Sequence, residues 1–252
     1  ADPAARPSSV RLRQRRWFWP AVIALIMVAV AGLGALITPT ARGDLDPDSP
    51  APEGTRALVQ VLRAHGFPLE RTAVDPLRMR VVLHEGDLNP EAAPVYYAHR
   101  DTWYAHPQGQ LTWWIAMHDA PEEETFFFYP EWFAREVPNN SEIFNYDDWV
   151  RDGWDLKIGW QRRGADTADL YPKQTAVVDV GRRVGFAVRT GDLLIFAGQH
   201  FHQTRPNRSG RTRFSLDFRT ADLIDAAAGV GAVNCDNRSR GSVLRDYLRL
   251  AP

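Results

Sequence analysis

The sequence predicts a mainly β protein of the antiparallel sandwich or jelly-roll type, preceded by one hydrophobic helix. From about Leu69 onward, the chain shows short runs rich in β-branched and aromatic residues, and pairs such as Gly86-Asp87 and Gly191-Asp192 mark turns between them. No repeat with the period of a solenoid or a propeller is present. Many short strands with a few helices are typical of an antiparallel sandwich or jelly roll.

The composition is that of a packed globular protein. The 252 residues are 44% hydrophobic and 24% charged, and the formal net charge of −1 argues against a nucleic-acid partner. The single cysteine, Cys235, excludes an internal disulfide and a cysteine-based metal cluster. Nine tryptophans and twelve phenylalanines either build a large core or line a pocket for an apolar or ring-containing substrate.

The first 37 residues differ from the rest and predict a membrane anchor. A basic cluster at residues 11–16 precedes 21 uncharged residues at 17–37, and this length crosses a hydrocarbon core of about 30 Å. A cleaved signal peptide and a fully buried soluble helix are the alternatives. If the segment is an anchor, the arginines stay in the cytoplasm and the domain that follows lies outside it.

The domain boundaries follow from changes in composition. Residues 38–54 are rich in Pro, Asp and Gly and predict a flexible linker. Residues 55–66 predict a short amphipathic helix that ends at Gly66 and is stopped by Pro68. The remainder, residues 67–252, is predicted to be one β domain.

Within this domain, eight runs are predicted as strands because they are short and rich in β-branched or aromatic residues. They are residues 78–84, 95–99, 111–117, 125–129, 175–180, 183–188, 192–197 and 212–218. Helical patches are predicted at residues 130–135 and 222–228. Residues 138–148 and 154–171 form a long insertion, which is either a lid over a site or a structural excursion packed on the β domain.

The first chemically informative motif is His99-Arg100-Asp101. If this run is extended, residues i and i+2 lie on one face, so the imidazole and the carboxylate converge. A second histidine from a distant strand would complete a set of two histidines and one carboxylate. Such a set holds iron(II) and leaves adjacent coordination positions open for oxygen activation.

A second motif lies at residues 191–213, GDLLIFAGQHFHQTRPNRSGRTR. A Gly-Asp pair enters a hydrophobic strand, which leads to a histidine, and an arginine follows eleven residues after it. In this pattern the chain resembles the phytanoyl-CoA dioxygenase branch of the 2-oxoglutarate oxygenases over about residues 75–220. The pattern of that family falls on these positions: His202, Thr204, Asn207, Ser209 and Arg213.

The resemblance implies a double-stranded β-helix with iron(II) held by His99, Asp101 and His202. It also implies that 2-oxoglutarate is bound by Arg213, with Thr204 donating to the same carboxylate, and that O2 is the second cosubstrate. Arginine suits this task because its planar fork binds a carboxylate through two hydrogen bonds. Related halogenases have a small residue where this chain has Asp101, so the carboxylate predicts hydroxylation or another oxidation of a small organic substrate.

Four residues near the motifs leave alternatives open. His200 is a rival to His202 as metal ligand, and Arg211 is a rival to Arg213, because only the spacing separates each pair. Trp103, Trp113 and His200 are predicted to contact the substrate. Since Trp113 and Trp114 are adjacent in a strand, they point in opposite directions, so at least one of them serves packing.

Two other functions compete with the oxygenase hypothesis. One is a membrane-tethered jelly-roll binding module without catalytic activity, and the other is a metal dioxygenase that uses three histidines. Asp101 and the spacing of Arg213 disfavour the latter. Iron(II) and 2-oxoglutarate are available in the cytoplasm, and this conflicts with a domain that an anchor would place outside it. A cytoplasmic enzyme is therefore expected if residues 17–37 are not native to the domain.

Overall fold

The computed structural model describes residues 53–152 and 171–250. Within these residues the chain forms eight β-strands and three α-helices, joined by 3-10 turns. The strands are β1 (Thr72–Val74), β2 (Arg78–Val82), β3 (Leu111–Ala116), β4 (Phe126–Phe128), β5 (Leu193–Ala197), β6 (His202–Thr204), β7 (Arg213–Asp222) and β8 (Leu248–Arg249). The helices are α1 (Glu53–Ala64), α2 (Tyr146–Asp152) and α3 (Leu223–Ala227). The described part is therefore mainly β with few helices, as predicted.

Two antiparallel sheets make up the β structure. The larger has the strand order β5-β3-β7-β1-β8, and β2 pairs with the first half of β7. The smaller consists of β4 and β6. It is extended by isolated bridges that join His99 to His202 and Val184 to Phe128. This arrangement agrees with the predicted jelly-roll type of fold.

Helix α1 covers the outer face of the larger sheet. Four of its residues share one side and are buried: Ala57, Leu58, Val61 and Leu62. They pack near Trp113 and Phe218, whose rings stack at a centroid distance of 5.3 Å. Complete burial of a side chain such as Leu62 contributes about 1.5–3 kcal/mol to stability. The helix begins two residues earlier than predicted and ends before Gly66, whose φ of +77° allows the left-handed turn.

The opposite face of the larger sheet is polar, and we call it the inner face. Strand alternation puts four buried residues of β7 on it: Arg213, Ser215, Asp217 and Arg219. Strand β3 adds Thr112 and Trp114, which lie directly opposite Arg219 and Asp217. A row of buried polar residues in a central strand is unusual, because each polar group needs a partner. Functional residues are therefore expected on the inner face.

Three predicted strands were wrong. Residues 90–96 form a 3-10 helix that contains Pro94, and only His99 of the predicted strand 95–99 makes a bridge. A proline lacks the amide donor that a sheet requires, which accounts for the difference. Residues 175–180 form no strand in the described structure, and residues 183–188 pair only through isolated bridges at Val184 and Val188.

The predicted anchor at residues 17–37 lies outside the described residues, as does most of the predicted insertion at 154–171. Of the linker predicted at residues 38–54, only residues 53 and 54 are described, and they belong to α1. Among the described helices, none has the length and apolar character needed to span a bilayer.

Candidate metal and cosubstrate site

His99, Asp101 and His202 converge at one place between the two sheets. One ligand atom from each side chain lies within 4.8 Å of the other two. Asp101 Oδ1 is 3.5 Å from His99 Nε2 and 3.9 Å from His202 Nε2. Ligands at right angles and about 2.1 Å from a divalent ion are about 3 Å apart, so small side-chain shifts would complete the coordination.

Backbone pairing brings these residues together although 103 positions separate the two histidines. His99 and His202 form an antiparallel bridge in which each amide donates to the other residue's carbonyl at 3.0 Å. Arg100 is extended, and Asp101 then begins a 3-10 helix. The expected convergence of positions 99 and 101 therefore occurs, with a single extended residue between them rather than a regular strand.

The two imidazoles are oriented by their Nδ1 atoms. His99 Nδ1 lies 2.8 Å from the Tyr97 carbonyl oxygen, and His202 Nδ1 lies 2.9 Å from that of His200. An Nδ1–H that donates to a carbonyl leaves Nε2 as the lone pair for a metal. Burial, reinforced by the charge of His99, lowers the pKa of His202 to about 3, so this imidazole is neutral at physiological pH.

The second carboxylate oxygen of Asp101 is held by three donors. Thr112 Oγ1 donates at 2.6 Å, Gln110 Nε2 at 3.2 Å and Arg219 Nε at 3.3 Å. With Oδ2 held in this way, Oδ1 is the oxygen directed at the histidines. Burial opposes ionisation of Asp101, but Arg219 and the histidines hold the pKa of this carboxyl well below its ordinary range. The site thus offers one anionic oxygen and two imidazole nitrogens, a set that suits iron(II).

Replacing Thr112 by valine removes the hydroxyl donor to Asp101 while keeping the shape of the side chain. We expect the affinity for cobalt(II), measured by titration of the full chain, to fall about 10- to 100-fold, as is typical when a group that orients a metal ligand is lost. Thr112→Ser is the matched control and should retain the affinity. Equal affinities in the valine and serine variants would show that the hydroxyl does not position Asp101.

Arg213 begins β7 on the inner face and is only 4% exposed. Its guanidinium lies 5.7 Å above the ring of Trp114, and neither Nε nor Nη1 has a hydrogen-bond partner among the described residues. Burial lowers its pKa to about 10, so it remains a cation at neutral pH. A buried cation without a partner is costly unless an anion binds to it. A carboxylate of a cosubstrate fits this requirement.

The rival residues are placed differently. Arg211 is already paired, since its Nη2 lies 3.0 Å from Glu124 Oε2 and also donates to the Asp119 carbonyl. His200 is not part of the ligand group, its Nδ1 lies 3.1 Å from the Ala197 carbonyl oxygen, and its ring packs on Phe133 at 4.7 Å.

The two tryptophans that are predicted to contact the substrate, Trp103 and Trp113, lie in the interior of the protein. Both side chains are fully buried. Trp113 points to the outer face, against α1, whereas its neighbour Trp114 lies on the inner face. Trp103 packs in a separate aromatic cluster and donates its indole N–H to Asp236 at 2.8 Å. In the described structure both side chains therefore contribute to packing, and a contact with the substrate stays a prediction.

Thr204 is partly buried and lies on the same face of β6 as His202, two residues away. The described structure contains no hydrogen bond between Thr204 and Arg213. A second hydroxyl, which the motif did not indicate, lies on the same strand as Arg213. Ser215 is fully buried two residues after Arg213, and its Oγ has no partner in the described part of the chain.

Sequence reasoning also missed Gln110, Thr112 and Arg219, which hold Asp101. The positions of Arg219 and Ser215 could have been predicted from one sequence pattern. Starting from Arg213, every second residue of a run otherwise rich in hydrophobic residues is polar, which places these side chains on one face.

Aromatic rings form the wall beside His202. The centroid of Phe196 is 5.3 Å from that of His202, and those of Phe126 and Phe128 are at 5.9 and 6.1 Å. Such a wall keeps water away from the metal ligands and strengthens electrostatic interactions within the site.

Comparison with known proteins assigns the chain to a family. The sequence model of the family described as phytanoyl-CoA dioxygenase (PhyH) matches residues 61–215, more than half of the chain. A search of curated proteins gave no match.

Several solved structures resemble the chain at low sequence identity. AviO1 from Streptomyces viridochromogenes Tue57 is 16% identical, with 81% of this chain and 85% of that one covered and a TM-score of 0.39. The non-heme monooxygenase ThoJ is 13% identical, with 88% and 80% covered and a TM-score of 0.45. The non-heme α-ketoglutarate-dependent carbocyclase SnoK is 17% identical, with 83% and 77% covered and a TM-score of 0.43. On the strength of the family match, the chain belongs to the phytanoyl-CoA dioxygenase (PhyH) family of iron(II)- and 2-oxoglutarate-dependent oxygenases.

Proposed function

We propose that this protein couples the oxidative decarboxylation of 2-oxoglutarate to the hydroxylation, or another two-electron oxidation, of a small organic substrate. The observation that carries the proposal is the presence of both the His99-Asp101-His202 group, in which Asp101 and His202 are buried, and the unpaired buried cation of Arg213. On this proposal His99, Asp101 and His202 hold iron(II) within a double-stranded β-helix. Arg213 binds the distal carboxylate of 2-oxoglutarate, assisted by Ser215 or Thr204.

Iron(II) bound at this site supplies the activation of O2, with 2-oxoglutarate giving up CO2 and becoming succinate. The protein residues perform the supporting tasks. The two imidazoles present Nε2 because their Nδ1 atoms face carbonyl oxygens, and Asp101 presents a single oxygen because the other is hydrogen-bonded. A carboxylate at position 101 leaves no vacancy for a halide ligand, which favours hydroxylation over halogenation.

The alternative is a jelly-roll module that binds a ligand without catalysis. It is disfavoured because an inactive module has no need to keep Arg213 buried without a partner, which costs stability.

The limits of the catalytic domain are also a proposal, and they differ in one respect from the division made from the sequence. Helix α1 packs on the sheet that carries the site, so we include it with residues 67–252 in the catalytic domain. The cosubstrates are cytoplasmic supplies, and we propose the cytoplasm for this domain.

The test is anaerobic addition of iron(II) and 2-oxoglutarate to the full chain, followed through the weak visible charge-transfer band of the chelate. We expect a band in the wild type. In Arg213→Gln the 2-oxoglutarate concentration needed should rise roughly 10- to 150-fold, the equivalent of losing a charge-assisted hydrogen bond worth about 1.5–3 kcal/mol. Arg211→Gln, which removes an already paired arginine, should leave the requirement unchanged.

A second readout separates binding from folding. Because Arg213 is buried and unpaired without its anion, Arg213→Gln should raise the thermal stability of the ligand-free protein while it weakens 2-oxoglutarate binding. Absence of a band in a folded wild-type sample would contradict the proposal and favour the binding module.

A further inference from the structure

Strand β2 contributes a second set of arginines to the inner face. Arg80 lies directly opposite Ser215, and Arg78 lies directly opposite Asp217. Directly opposed residues of an antiparallel pair share a face, so both arginines point to the side of the sheet that carries Arg213. Among the described strands β2 pairs only with β7, which places it at an edge of the site.

Only the Nε atom of the Arg80 guanidinium makes a hydrogen bond to another described residue. Its Nε donates to Asp217 Oδ2 at 2.9 Å, and the Asp217 side chain is 7% exposed. The Arg80 side chain itself is 30% exposed, and its Nη1 and Nη2 atoms have no hydrogen-bond partner among the described residues. A planar guanidinium anchored at Nε presents the edge formed by its two terminal nitrogens, which matches a carboxylate.

A short chain of charges connects Arg80 to the metal ligands. Arg219 Nη2 is 3.7 Å from the Asp217 oxygen that accepts from Arg80, and Arg219 Nε is 3.3 Å from Asp101. One carboxylate and one guanidinium therefore separate Arg80 from Asp101. Burial is the main cause of the lowered pKa of Arg213, and the charge of Arg80 lowers it further, which is consistent with both side chains lying on the inner face of the sheet.

The charges around the site do not cancel. Four cations come from β2 and β7: Arg78, Arg80, Arg213 and Arg219. Three anions contact them or the metal site: Asp75, Asp101 and Asp217. The nearby pairs Arg211–Glu124 and Arg208–Asp87 are neutral in themselves. Since iron(II) and the 2-oxoglutarate dianion also cancel, one positive charge is left over.

We propose that the terminal nitrogens of Arg80 bind a carboxylate of the substrate, so that the substrate is a small organic acid oxidised at a carbon away from that group. The inference rests on the proposed function and adds the substrate class. A single negative charge matches the surplus, whereas a phosphate dianion would exceed it. The carboxylate anchors one end of the substrate at β2 and directs the other end toward the metal.

The experiment uses the full chain saturated with cobalt(II) and 2-oxoglutarate, whose visible cobalt spectrum reports binding nearby. The probes are matched pairs of an acid and its primary amide: benzoate and benzamide, phenylacetate and phenylacetamide, hexanoate and hexanamide. In the wild type at least one acid should bind at least about tenfold more tightly than its amide, because it gains a charge-assisted bidentate pair.

Arg80→Gln should abolish this preference, and Arg80→Lys should restore little of it because the bidentate edge is lost. Arg78→Gln removes an equal charge from the same strand and should keep most of the preference. The inference is overturned if no acid binds more tightly than its amide, or if the two glutamine variants lose the preference equally. It is also overturned if Arg80→Gln weakens 2-oxoglutarate instead.

The charge-transfer band of the iron(II) complex in the same preparations separates the two proposals. A wild-type band without any preference for acids contradicts only the role of Arg80. A folded wild type without a band contradicts the oxygenase proposal and this inference with it.

Discussion

Replacing His202 by alanine is expected to reduce 2-oxoglutarate turnover to the level of iron(II) in buffer. The side chain is buried and its Nε2 faces Asp101 Oδ1 at 3.9 Å, so its loss removes one of three protein ligands. The measurements are succinate formation and iron(II) affinity of the full chain. Far-ultraviolet circular dichroism of the same sample should show the wild-type fold, because the backbone bridge to His99 does not depend on the imidazole.

His200→Ala is the matched control, since it removes an imidazole two residues away. His200 packs among Phe128, Phe133 and Phe196 and is not part of the ligand group. The variant should therefore retain iron(II) binding and turnover, with at most a modest loss of stability. If His200→Ala lost the metal while His202→Ala kept it, the assignment of the distal ligand would be reversed.

Replacing Asp236 by alanine is expected to produce a large loss of stability. Arg100 and Asp236 form an ion pair in which both side chains are fully buried. Arg100 also donates to the carbonyl oxygens of Trp132 and Arg135, each at 2.7 Å. Removing one partner leaves a buried charge without compensation, which costs about 3–5 kcal/mol. Thermal unfolding should shift by about 6–20 °C for a domain of this size.

This change also bears on the metal site, because Arg100 stands between His99 and Asp101. We therefore expect Asp236→Ala to weaken metal binding even at temperatures where the chain is folded. The double variant Arg100→Met with Asp236→Asn removes the uncompensated charge and should recover part of the stability. Glu142→Ala breaks an exposed pair with Arg238 and should change stability little. If Asp236→Ala and Glu142→Ala lowered the thermal stability by equal amounts, the role assigned to the buried Arg100–Asp236 pair would be contradicted.

Local sequence patterns sufficed for part of the fold. The helical spacing of Ala57, Leu58, Val61 and Leu62 predicted α1 to within two residues. Runs of β-branched and aromatic residues predicted β2, β3, β5 and β7, which are long enough for their composition to be distinctive. The strand predicted at residues 95–99 failed because Pro94 and a 3-10 helix occupy this part of the chain.

The orientation of the aromatic residues could not be read from the sequence. Trp103, Trp113 and Trp114 are alike in type and lie close to the first motif. Trp113 faces α1, Trp114 faces Arg213, and Trp103 contacts Asp236, a residue 133 positions away. Alternation established only that Trp113 and Trp114 point in opposite directions. Which side carries the site depends on which elements pack on each face of the sheet.

By itself, the sequence determined the family resemblance and the candidate ligands, because the motif of the family is defined by residue type, order and spacing along the chain. Through that resemblance the sequence pointed to His99, Asp101, His202 and Arg213, with His200 and Arg211 left as rivals. Only the tertiary structure decided what supports them: the donors to Asp101, the unpaired state of Arg213 and the inward position of Arg80. These contacts join strands that are distant in the sequence, and no local periodicity encodes which distant side chains will meet.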